Sequence, residues 1–127
     1  MADKKDQRKI ETGKTGEKVA VDFLKKNGYR ITEVNYRCPI GEIDIIARDK
    51  NELVFVEVKA RRSSALGYPE QAVGTKKQKK MSQLALWYLQ EKRLTDVRAR
   101  FDVVAVLMLP EGNDIRLIRN AFDFISF

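Results

Sequence analysis

GEIDIIARDKNELVFVEVKARR, residues 41–62, decides the fold. Residues 41–48 and 52–60 are rich in Ile, Val and Phe, which suit a pleated strand. Asp49-Lys50-Asn51 between them is a polar turn signal, so the stretch reads as a β-hairpin. A two-residue loop at Lys50-Asn51 sets Asp44 opposite Glu57 and Glu42 opposite Lys59. Side chains alternate along a strand, so these four share one face. Ile43, Ile45, Ala47, Val54, Val56 and Val58 fall on the other, a wholly apolar face. Ile46 and Phe55 lie with the charged residues, which makes that face half-buried.

Outward from the hairpin, the chain reads as α-β-β-β-α-β-β. A first helix is expected over about 16–27, with Thr15 as N-cap and Gly28 just past its end. Val19, Ala20, Phe23 and Leu24 form its apolar stripe. Residues 29–36 read as a strand broken by Arg37-Cys38-Pro39. After Arg62, SSALGYPEQAVG is a loop. Thr75 then caps a second helix over about 76–92, on which Met81, Leu84, Ala85, Tyr88 and Leu89 recur at helical spacing. RFDVVAVLML, 100–109, is the apolar run of a strand buried on both faces. A turn at 110–114 and a short strand at 115–118 follow, and the Phe-rich end, NAFDFISF, is expected to dock on the core. A hairpin, a helix and then a buried strand imply a crossover and a mixed central sheet, hence α/β.

The division expected is a flexible basic tail over 1–14 and a single domain over 15–127, a length sufficient for a real core. With 43% hydrophobic residues the chain is globular. Its +7 net charge favours a polyanionic partner, nucleic acid or an anionic membrane surface. Cys38 is alone, which fits a reducing cytosol, and a cytoplasmic location is expected. There is no apolar run long enough to span a membrane and no secretory signal pattern. The chain contains no histidine, which excludes Ser-His-Asp and Cys-His catalysis and a structural zinc site. Any metal must be held by oxygen, which points to Mg²⁺ or Mn²⁺.

Two carboxylates and a lysine converging on one sheet face have a chemical use. Asp44 and Glu57 can hold a hard cation, with the Val58 carbonyl as a further oxygen, and Lys59 can orient water or offset charge on phosphorus. The alternative is a solvated face with cross-strand ion pairs, but like charges directly opposed destabilise a hairpin unless a cation lies between them. Glu17, in the first turn of the first helix, either complements the helix dipole or reaches the carboxylate face; spacing alone favours the dipole. Lys76, Lys77, Lys79 and Lys80 oppose the dipole of the second helix, so they are either phosphate contacts or a solvated face. The basic tail is likewise either a solvated end or a weak phosphate-binding arm.

GEKVA (16–20), NYR (35–37), the hairpin through Arg61, QAV (71–73), RFDVV (100–104) and NAF (120–122) resemble the YraN-like family of bacterial proteins. Through it the chain resembles the PD-(D/E)xK superfamily of restriction-endonuclease-like nucleases, with their α-β-β-β-α-β core. Ile43 stands where the superfamily pattern has a proline before the aspartate. The resemblance implies Asp44 and Glu57 as metal ligands, Lys59 as the catalytic lysine and Glu17 as the helix acid completing the metal site. It implies a metal-dependent DNA endonuclease; the layout is similar to archaeal Holliday-junction resolvases, so branched DNA is the substrate expected. The alternative is a non-catalytic nucleic-acid-binding protein of the same fold. Nucleic-acid contacts are expected at Arg61, Arg62, Gln71 and the four lysines. A homodimer is compatible with the sequence but does not follow from it.

Overall fold

The computed structural model describes residues 4–62 and 73–125. The element order is α1 (Lys4–Lys26), β1 (Arg30–Cys38), β2 (Gly41–Asp49), β3 (Glu52–Arg61), α2 (Thr75–Glu91), β4 (Arg98–Leu109) and β5 (Gly112–Phe122). The strands form one mixed sheet in the order β1-β2-β3-β4-β5. Only β3 and β4 are parallel, and α2 lies in the connection between them. The α/β class, the order and the additional C-terminal strand are those expected from the sequence.

The hairpin has the expected register. Ile45 pairs with Val56, and the ladder continues to Asp49 and Glu52. Lys50 takes the left-handed backbone that such a two-residue turn requires, with φ 55°. Helices cover both faces of the sheet. On one, Ala20 and Leu24 of α1 pack on Ile45, Ala47, Val54, Val56, Val104 and Val106. On the other, Met81, Leu84, Ala85 and Tyr88 of α2 pack on Ile46, Phe55 and Phe101. The charged hairpin face is therefore fully buried along this part, since α2 covers Ile46 and Phe55.

Strict alternation fails at Ile43. It packs with the α2 cluster beside Ile46, whereas Ile45 packs with α1. The β2–β3 ladder runs no further than Ile45–Val56, so nothing in it holds the alternation beyond that pair. Asp44 sits at this break.

Helix α1 begins a dozen residues before Gly16. Residues 4–14, expected as a tail, are helical, and Thr15 is an exposed helix position rather than a cap. This segment has no proline and is built mostly of good helix formers, but it lacks the apolar period that would have revealed it. Thr12 Oγ1 accepts a hydrogen bond from Arg62 Nε at 2.6 Å, which ties the extension to the end of β3. At the other end Gly28 has φ +88°, and the Tyr29 N–H reaches back to the Leu24 carbonyl at 3.0 Å.

β5 is much longer than 115–118. Phe122, still in the strand, stacks on Phe101 at 4.6 Å, and Phe124 lies against the same ring at 4.5 Å. The Ile125 N–H donates to buried Ser82 Oγ on α2 at 3.0 Å. β1 likewise continues through Cys38, because Pro39-Ile40 forms a tight turn into β2. No helix among the described residues is long and apolar enough to cross a membrane.

A charge network runs from Asp102, opposite Val56 on β4, to Asp49 and Glu52 at the hairpin turn. Asp102 is fully buried within the apolar run of β4. It accepts from Arg100 Nε at 2.9 Å, from the Tyr29 hydroxyl at 2.8 Å and from the Asn120 N–H at 2.9 Å. Arg100 also bonds Asp49 at 2.7 Å and pairs with Glu52 at 3.5 Å. A buried carboxylate left without its cation is costly. Arg100→Leu should therefore lower stability by about 3–5 kcal/mol, read from urea midpoints at neutral pH.

Candidate metal and nucleic-acid site

Asp44, Glu57, Lys59 and Glu17 come from three elements, α1, β2 and β3, around the point where β2 stops pairing with β3. β2 supplies Asp44 just past the last ladder pair, and β3 supplies Glu57, Val58 and Lys59. Because the ladder stops at Ile45–Val56, the Val58 N–H takes a side-chain acceptor: Asp44 Oδ2 accepts from it at 2.8 Å. That bond fixes the Asp44 carboxylate against β3, beside Glu57.

α1 brings Glu17 to the same place through Gly16. A Cβ at Gly16 would run into the Ala60 Cβ of β3, so only glycine lets the helix lie this close to the sheet. The field of Glu17 reaches Asp44. α1 begins at Lys4, so Glu17 lies well inside the helix and not in its first turn, which removes the dipole role.

Half-buried Asp44 has its carboxyl pushed up to about 7. The causes are loss of solvent and then the facing Glu57 carboxylate, with Glu17 acting in the same direction; the Val58 N–H and Lys77 pull it back. Glu57 has a cation on its other side, Lys77 Nζ of α2 at 3.3 Å. Glu42 lies farther along β2, paired with Arg37 at 3.3 Å in the β1–β2 hairpin. Lys59 is half-buried on β3.

The structure also places the expected nucleic-acid contacts. Lys76, Lys77, Lys79 and Lys80 are all exposed in the first turns of α2, which has no acid there. Gly74 is the N-cap, one residue before Thr75, and Gln78 Nε2 donates to the Val73 carbonyl at 2.7 Å. Arg61 ends β3, and exposed Arg62 holds Thr12. Gln71 lies outside the described residues.

A residue that sequence reasoning missed is Asn35. β1 pairs Val34 with Ile45 and Tyr36 with Ile43, which sets Asn35 abreast of Asp44. Its φ is 56°, left-handed in the middle of a strand. Asparagine tolerates that backbone, but nothing in the local pattern announces it.

In chemistry the donors fit a hard divalent cation: carboxylate oxygens whose mutual repulsion a cation would relieve. They are not assembled as a cage; among the described residues no group of three or more His, Cys, Asp and Glu side chains is arranged to hold a metal.

A family profile described as "Uncharacterised protein family UPF0102" matches residues 16–106, most of the chain. The chain belongs to the UPF0102 family. The match begins at Gly16, at the close approach of α1 to β3, and contains every carboxylate of the site. A UPF0102 protein of Syntrophus aciditrophicus (strain SB) is 57% identical over 114 residues, 90% of each chain. One from Desulfosudis oleivorans is 53% identical over 111 residues, covering 87% of this chain and 89% of its own. A third, from Caldicellulosiruptor saccharolyticus, is 47% identical over 116 residues, 90% and 98% of the two chains. This bears out the YraN-like resemblance at the level of the UPF0102 family.

The raised Asp44 carboxyl has a consequence for stability. Between the ordinary carboxylate range and about pH 7 the folded protein holds a proton that the unfolded chain releases. Stability should thus fall as pH rises through that window, and the full cost of the charged carboxylate is present above it. Asp44→Asn keeps an acceptor for the Val58 N–H and removes the charge. It should flatten this part of the profile and stabilise the metal-free protein at pH 8 by about 1–2 kcal/mol, measured by urea denaturation from pH 4 to 8.

Proposed function

We propose that the protein is a Mg²⁺- or Mn²⁺-dependent DNA endonuclease of the PD-(D/E)xK superfamily, acting on branched or otherwise structured DNA. The observation that carries this reading is the like-charge pair Asp44 and Glu57 held at the end of the β2–β3 ladder. The fold fixes Asp44 there through the Val58 N–H, and burial raises the cost of its charge. A hairpin selected only for stability gains nothing from opposed carboxylates. Pure nucleic-acid binding gains nothing from carboxylates beside phosphate.

In this reading Asp44, Glu57, Glu17 and the Val58 carbonyl hold the cation. When bound, it polarises a phosphodiester and lowers the pKa of coordinated water. Lys59 orients the attacking water and offsets the negative charge that builds on phosphorus. The water oxygen bonds to phosphorus and gives up a proton to solvent, the bond to the leaving ester oxygen breaks, and that oxygen is protonated from solvent. Lys76, Lys77, Lys79 and Lys80 contact backbone phosphates, with Arg61 and Arg62 at the end of β3. The four lysines sit at the positive end of the α2 dipole, so the helix adds to their attraction for phosphate.

A second reading is a non-catalytic nucleic-acid-binding protein that keeps this fold. The Lys77–Glu57 ion pair favours it, since a lysine already neutralises one of the two carboxylates. Cleavage assays separate the readings. Duplex, single-stranded and four-way-junction DNA are incubated with Mg²⁺ or Mn²⁺, with Asp44→Ala as control. The nuclease reading expects metal-dependent cuts that the variant loses by at least about 100-fold, the scale of an electrostatic catalytic contribution. Binding without cutting on all three substrates would leave the second reading.

A further inference from the structure

We infer that the groove between α1 and β1 binds a short unpaired nucleic-acid segment beside the scissile phosphate, with Asn35 contacting the base. This deepens the nuclease reading and rests on it for the word scissile; the binding itself stands apart from cleavage.

The groove is lined by Lys14, Glu17, Lys18, Val21, Asp22, Val34 and Asn35, and encloses about 540 Å³. Two of its residues belong to the surroundings of the site. Glu17 acts on Asp44, and Asn35 lies abreast of Asp44 on the neighbouring strand. A chain whose phosphate sits at Asp44 therefore has this groove as a continuation on the α1 side of the sheet. The Lys76–Lys80 surface belongs to α2, which covers the opposite side.

The groove's chemistry is graded in the way a nucleotide requires. Val21 and Val34 give an apolar wall, and Val34 is 44% exposed although it stands in a strand. An apolar wall takes the face of an unstacked base. Asn35 offers an amide, which can donate to and accept from a base edge. Its left-handed backbone departs from the strand path at that position. Lys14 and Lys18 stand one turn apart on α1, a like-charge spacing that costs an isolated helix stability. Neither has an ion-pair partner among the described residues, although Glu17 and Asp22 share the groove. Phosphate on their side would relieve the repulsion. From Lys14 to Asp22 is about 12 Å along the helix axis. That length suits a short single-stranded segment, such as the unpaired nucleotides at a branch, and the carboxylate of Asp22 ends the run.

The test is a titration of the isotopically labelled protein with a short single-stranded oligothymidylate, in EDTA, followed by amide chemical shifts. Two variants accompany it. Asn35→Gly removes the side-chain amide and suits the left-handed backbone. Lys14→Gln with Lys18→Gln removes the two cations at exposed helix positions, where folding is not at stake. The expected result is shift changes at Val21, Val34 and Asn35, with about tenfold weaker binding in each variant. The double lysine variant should also lose about 1.4 from the slope of log K against log salt, two contacts on a single strand. If Asn35→Gly does not fold, the lysine variant decides alone. Shifts confined to the Lys76–Lys80 surface, or unchanged affinity in the folded variants, would overturn the inference. So would shifts that follow protein concentration and not oligonucleotide, which would make a second copy of the chain the occupant. Groove binding without cleavage on any DNA would sink the nuclease and spare the groove; cleavage with a silent groove would do the reverse.

Discussion

The hydrogen bond from the Val58 N–H to Asp44 is the constraint on which the site depends. A backbone donor at the point where two strands stop pairing must find an acceptor. Here the acceptor is a carboxylate that could otherwise turn toward water. The bond holds Asp44 beside Glu57 and in the field of Glu17; burial and then these carboxylates raise its proton affinity into the neutral range, against the pull of the bond itself. The fold thus stores a like-charge conflict in one place. Lys77 relieves part of it from the α2 side, through Glu57.

The rest of the fold serves this placement from two directions. Gly16 lets α1 lie close enough on Ala60 to bring Glu17 in, so one missing Cβ connects helix packing to site electrostatics. Two strands away, on β4, the Arg100–Asp102 network has Tyr29, Asp49 and the Asn120 N–H as partners. Both clusters hold carboxylates. Arginine answers Asp102 and Asp49 directly; at Asp44, burial and the neighbouring carboxylates outweigh the Val58 N–H and Lys77.

Much of this was legible in the sequence because the hairpin carries two redundant signals. A polar turn at Lys50-Asn51 and apolar alternation on either side give the same register, and Ile45–Val56 obeys it. The helical spacing from Met81 to Leu89 identified the face of α2 that packs on the sheet. Reading failed where a local rule was carried past its support. Alternation placed Ile43 with Ile45, but between them β2 parts from β3 and runs on with β1 alone, level with the left-handed Asn35. The first half of α1 has no apolar stripe, so its helical state rests on propensity and on the Thr12–Arg62 contact, which is remote in sequence. Asp102 lay unremarked within the apolar run of β4, and its partners are Arg100 on the same strand and, remote in sequence, Tyr29 and the Asn120 N–H. Asn35 lies in the NYR motif that carried the family resemblance, but no local pattern gave it a role, since its importance lies in the cross-strand position next to Asp44.

The central claim is that the Asp44–Glu57 pair is a divalent-cation site, and thermal melts with and without several millimolar Mn²⁺ test it most directly. A ligand that binds only the folded state raises its stability by mass action. The account predicts a metal-dependent rise in melting temperature for the unmodified protein and none for Asp44→Asn. The same melts repeated with a short DNA duplex cover a shell that substrate completes. No metal-dependent shift in the unmodified protein, with or without the duplex, would contradict the account.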